Sequence, residues 1–254
     1  MSTFLVDALA LPPASRVSHR VPKKRLVEHG APTASDRKLI ESSIEELHWV
    51  AALKPSTTGI LPFKDETHDY GEIIVFAATL RNDARISRIV ELIHRAVPYV
   101  LVLCIRYRGT SRLALAHKRA SQASAGAIVV EDIRCTAAID DTFHPGVAKE
   151  FICSLAFSEQ PSGSLFELYQ GWLDRVVALE VAALTGAFNL TRTKDRYTAR
   201  RRALAEYCRI EREIGLLRAQ AGRESQIARR VDLNLAINRL VAELAIADRS
   251  LENA

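Results

Sequence analysis

Two continuous apolar runs, Glu72-Ile73-Ile74-Val75-Phe76-Ala77-Ala78-Thr79-Leu80 and Tyr99-Val100-Leu101-Val102-Leu103-Cys104-Ile105-Arg106-Tyr107, constrain this chain most. Each is too short for a core helix and rich in β-branched residues, so each reads as a strand buried on both faces. Between them Ile86, Ile89, Val90 and Ile93 repeat at helical spacing and stop before Pro98. The turn Arg108-Gly109-Thr110-Ser111 leads into Leu113–His117, which predicts a hairpin, and a further strand is expected at Ala127–Cys135.

Upstream, Ser35 is the candidate N-cap of a helix carrying Leu39, Ile40, Ile44, Leu47 and Val50. That helix should end near Lys54, because Pro55 disfavours helical geometry in the residue before it. Residues 1–34 hold Pro12, Pro13, Pro22 and the basic cluster Lys23, Lys24 and Arg25 without a sustained period, and are expected as an extended lead-in. An α/β domain then covers 35–158. Glu159-Gln160-Pro161-Ser162-Gly163-Ser164 is the clearest linker, a connecting helix follows over 165–190, and 191–254 forms a basic helical arm. The expected class is therefore α+β: a mixed sheet of about four to five strands with packing helices, then a helical hairpin or coiled coil.

In the arm, Leu204, Tyr207, Ile210, Ile214, Leu217 and Ala221 step by three or four, as do Ile227, Val231, Leu235, Asn238 and Val241. Each series predicts one apolar stripe, and Gly222 separates them. The stripes suit a hairpin folded on itself or a coiled coil with a partner, a second copy included.

Charge is unevenly placed. Residues 191–254 carry fourteen Lys or Arg against nine Asp or Glu, which equals the whole chain's excess of +5. Arg192, Lys194, Arg196, Arg200, Arg201 and Arg202 face a single interleaved acid, Asp195, and are the candidate nucleic-acid-binding residues, since the arginine fork suits phosphate oxygens. The series continues through Arg209, Arg212, Arg218, Arg223, Arg229 and Arg230, with Glu206, Glu211, Glu213 and Glu224 among them. A secondary basic patch, Arg106, Arg108, Arg112 and Lys118, falls on the hairpin, where it could equally protect a sheet edge.

Other chemistries find little support. The four cysteines lie far apart with no zinc-ligand spacing, there is no phosphate-binding glycine motif, and no serine or cysteine sits in a nucleophile setting. No catalytic residue, metal ligand or cofactor is therefore assigned. A divergent metal-dependent nuclease is the alternative, drawing on Glu72, Asp83, Glu131, Asp132, Asp140 and Asp141, with Glu72, Glu131 and Asp132 as the trio whose convergence would make a site. The N-terminus lacks a basic region ahead of an apolar core, and no apolar run approaches the length of a membrane span, so a cytoplasmic protein without membrane contact is expected.

In order along the chain, several segments resemble successive motifs of the bacterial domain of unknown function 4391 family. They are Leu11-Pro12, Arg20-Val21-Pro22-Lys23-Lys24, Trp49 with Leu53-Lys54-Pro55-Ser56-Thr57, Glu72–Phe76, Ala96-Val97-Pro98-Tyr99 and Gln226–Asn234. The resemblance runs from about residue 11 to 245 and implies no activity and no catalytic residues. It does imply a setting beside helicases and DNA methyltransferases, as in restriction or phage-defence clusters, and hence an accessory role near DNA. Alanine stands after Phe76 where the family often has an acid.

Overall fold

The computed structural model describes residues 4–121, 128–140, 143, 145–190 and 194–253, which form two compact units, 1–180 and 181–254. Among the described residues no helix is long and apolar enough to cross a membrane.

The first unit departs from expectation at once. Residues 1–34, expected as an extended lead-in, contain helix α1 (Phe4–Ala8), strand β1 (Arg16–Arg20) and helix α2 (Lys23–Gly30). Leu5, Leu9, Leu11 and Leu26 are buried there. Each element is a turn or two long, too short for a period to show in the sequence.

Helix α3 (Ala34–Ser43) is capped by Thr33, whose hydroxyl accepts from the Asp36 amide at 3.1 Å, two residues earlier than the Ser35 cap expected. The helix also stops eleven residues short of Lys54, because Ile44–Leu53 is strand β2. Strand pairing on both edges decides this: β2 lies between β1 and the buried strand over Ile73–Leu80, and an inner strand satisfies the backbone groups that a helix would. Pro55 opens the short helix α4 (Pro55–Thr58).

Strands β3 (Phe63–Lys64) and β4 (Asp69–Tyr70) make a separate small ribbon. Strand β5 (Ile73–Leu80), helix α5 (Ile86–Ala96) and strands β6 (Val100–Tyr107) and β7 (Thr110–Ala116) fall where the apolar pattern put them. α5 connects β5 to β6 in parallel, as a crossover must, and β6 turns into β7 through Arg108 and Gly109 with φ of 46° and 87°. Two consecutive positive φ values match the right-handed twist of a hairpin.

The expected strand 127–135 is instead two pieces in two sheets. β9 (Ile128–Val130) pairs with β8 (Lys118–Ala120), and β10 (Arg134–Cys135) pairs with β7, while Ala127 lies outside the described residues. The main sheet has six strands in the order β1-β2-β5-β6-β7-β10, slightly larger than expected.

α2, α3 and α5 cover one face of it, packing Leu26, Ile40, Ile89 and Ile93 against Leu47, Ile74, Phe76, Leu101 and Leu103. Val75, Val102, Cys104, Leu113 and Leu115 of the other face are also buried. Helix α6 (Pro145–Ser154) follows, and then α7 (Leu165–Thr185), the connecting helix expected from the sequence. The hydroxyl of Tyr169 on α7 reaches the backbone of Leu101 and Ala116 at 2.8 and 2.9 Å.

In the second unit α8 (Lys194–Arg223) and α9 (Ile227–Asn253) form a hairpin closed by Ile210, Ile214, Ile237 and Ala247. The α8 stripe packs as expected. The α9 stripe does not: Ile227, Val231, Leu235 and Val241 are exposed, and Ile237, Leu240, Leu244 and Ala247 take their place against α8. α9 is apolar on two sides, so periodicity alone could not say which side the hairpin would bury.

Candidate functional site

The arm carries the basic run. Arg192 lies outside the described residues, and of Lys194 only the helical backbone is described. Arg196 and Arg202 are exposed. Arg200 is 7% exposed, and its guanidinium donates to the Asn189 carbonyl. Arg201 lies over the Tyr197 ring, 5.9 Å from its centroid. Consecutive helical residues advance by about 100° each, so Arg200, Arg201 and Arg202 fan around α8 instead of sharing one phosphate-facing side.

Further along, Glu206 and Glu213 hold Arg209 at 2.8 and 2.9 Å, and this arginine keeps the Glu206 carboxyl below its ordinary pKa. A different group gathers at the hairpin tip. Arg218 and Arg223 end α8 and Arg229 and Arg230 begin α9; all four are exposed, and among the described residues none is held in an ion pair. Only residues 224–226 connect the helices, so all four arginines stand within about two helical turns of the bend. Glu224, in the bend, accepts from the Gln226 amide at 2.9 Å.

The hairpin patch of the first unit does not assemble. Lys118 is buried and donates from Nζ to the carbonyls of His94, Val97 and Tyr99 at 2.9, 2.5 and 2.6 Å, closing the C-terminal end of α5. Arg112 donates to the Thr136 carbonyl at 3.2 Å, and Arg108 stacks over Tyr107 in the turn. Ile105 pairs with Arg112 and Arg106 with Ser111; cross-strand partners share a face, so Arg106 and Arg112 point to opposite faces.

The acids that would make a nuclease site turn to separate partners. Glu72 faces Lys54 at 3.4 Å, Glu131 faces Arg119 at 3.1 Å and His68 at 3.6 Å, and Asp132 faces Arg134 at 2.7 Å. Asp141 lies outside the described residues. Among the described residues no three His, Cys, Asp or Glu side chains are placed to hold a metal ion.

One cluster in the first unit escaped sequence reasoning. Gln170 donates to Asp174 at 2.6 Å, so its amide oxygen faces His117 Nε2 at 2.9 Å and must accept from it. His117 Nδ1 is then the acceptor for the Tyr70 hydroxyl, with which it makes a short hydrogen bond. Burial raises the Tyr70 pKa and keeps that donor protonated. Phe166 stacks on the His117 ring with centroids 5.5 Å apart. This run of hydrogen bonds ties β4, the residue after β7 and α7 together. Its members lie 47 and 53 residues apart in sequence, and no local motif marks them.

A family model described as domain of unknown function (DUF4391) matches residues 9–244. No curated protein and no solved structure matches the chain.

Proposed function

Because the chain belongs to the DUF4391 family, whose description records no activity, we propose its role from its own geometry: a non-catalytic accessory subunit of a DNA-processing system, whose helical arm contacts the phosphate backbone through its tip. The observation that carries this reading is the gathering of Arg218, Arg223, Arg229 and Arg230, exposed and, among the described residues, held in no ion pair, at the connecting end of the α8–α9 hairpin. Guanidinium groups so placed suit phosphate oxygens and would hold a duplex without reading its bases. The setting beside helicases and methyltransferases that the resemblance implies fits such a subunit.

The tip replaces the 192–202 run as the proposed contact because Arg200 is buried and its neighbours diverge. Fluorescence anisotropy with a labelled duplex between about 50 and 200 mM salt tests it. Replacing all four tip arginines by alanine should reduce the slope of log affinity against log salt by about 3 to 4. An unchanged slope, or no binding at the lowest salt, would overturn the proposal.

A further inference from the structure

α9 has a second seam. On the side turned away from Ile237 and Leu244, Ile227, Val231, Leu235 and Ile246 are 70%, 50%, 53% and 58% exposed. Ala228, Ala242, Ala245 and Asn238 fill the positions between them. Val231, Leu235, Asn238, Ala242 and Ala245 recur at alternating steps of four and three, the spacing of a coiled-coil seam. From Ile227 to Ile246 the seam is about 28 Å long at 1.5 Å per residue.

Charge along its border indicates what covers it. Asp232 and Arg239 stand seven residues apart on the same edge of the seam, and among the described residues neither makes an ion pair. We propose that the occupant is a second copy of this chain, with the two α9 helices antiparallel across this seam. Turned end for end about the midpoint between Ala236 and Ile237, Val231 of one copy meets Ala242 of the other and Leu235 meets Asn238, while Ile227 and Ile246 flank the two ends of the seam on opposite edges. Large side chains then oppose small ones at Val231, and the single polar position sits beside the two-fold axis, where it disfavours other registers. In the same register Asp232 of each copy falls beside Arg239 of the other, so the pair of complementary charges is made twice. A parallel pair makes neither, because it sets Asp232 and Arg239 against Ile227 and Asn234 of the opposite edge.

The surface is distinct from the arginine tip, so the two readings fail separately: the four-arginine variant should associate as the unaltered chain does. Sedimentation equilibrium of the full chain should show a dimer, and Val231→Glu with Leu235→Glu should weaken it by about a hundredfold or more, two buried charges per copy being hard to accommodate. Both residues are solvent-facing in the single chain, and circular dichroism should report unchanged helix. Asp232→Arg alone and Arg239→Asp alone should each weaken association by about tenfold, and the two together should restore it to within about threefold of the unaltered chain. A monomer at about 100 μM would overturn the proposal and leave the seam to a different protein. A dimer that tolerates the two glutamates, or charge reversals that fail to rescue one another, would overturn it as well.

Discussion

The ammonium of Lys118 lies 2.9 Å from the carbonyl oxygen of His94, and the same group reaches the carbonyls of Val97 and Tyr99. One side chain from the first residue of β8 thus closes the helix that connects β5 to β6. Burial lowers the Lys118 pKa to about 7, and the three carbonyls are what make a buried amine tolerable there.

Replacing Lys118 by methionine keeps the apolar stem and removes the donor. Three carbonyls, two of them in buried contacts, then lose their partner, which should cost roughly 2–4 kcal/mol. Urea denaturation of the full chain measures it, and DNA affinity should not change, because this residue is not exposed to phosphate.

His94 itself sets an acid dependence. It is buried on α5, and burial, with Lys118 nearby, lowers its pKa from 6.5 to about 3. The folded state keeps the ring neutral while the unfolded chain takes up a proton below pH 6.5. Stability is therefore fully present above pH 6.5 and falls as pH drops towards 3, by up to about 1.4 kcal/mol per pH unit. His94→Leu should flatten the acid limb of the stability curve in that window. Asp36, held low by Arg88 and Thr33, contributes its own loss only below its ordinary pKa of 3.8.

Gly30 marks a close crossing of α2 and α5. A Cβ there would stand 2.5 Å from the Leu92 carbonyl oxygen and 2.8 Å from the Ala96 Cβ, and the backbone atom cannot step aside. Gly30→Ala should destabilise by roughly 1–3 kcal/mol through this overlap. Gly215→Ala is the matched control, since nothing lies within 4 Å of its Cβ position in α8. There the same substitution should stabilise by about 0.5–1 kcal/mol.

Arg200 separates stability from binding. It is buried and its guanidinium donates to the Asn189 carbonyl. Arg200→Ala should lower the melting temperature of the arm, at a cost of roughly 1–3 kcal/mol, and leave the salt slope of DNA binding as it was. The four-arginine tip variant should do the reverse.

The long elements were legible from sequence because each meets a single demand. β5 and β6 are inner strands that must be apolar on both faces, α5 shows one clean stripe, and α7 and α8 run long enough for their periods to accumulate. The α+β class and the helical arm followed from these.

Where two demands coincide, only tertiary structure could choose. Ile44, Leu47 and Val50 satisfy helical spacing, yet β2 forms because strands on either side complete its hydrogen bonds. α9 offers two apolar faces, and contact with α8 selected the one through Ile237 and Leu244, leaving Val231 and Leu235 outside. Arg200, Arg201 and Arg202 read as one basic cluster along the chain, but helical rotation separates them, while the bend after α8 joins arginines that the sequence spreads over thirteen positions. Local sequence determines which faces a segment can bury; which face it does bury, and which charges stand together, depends on partners brought close only when the chain folds.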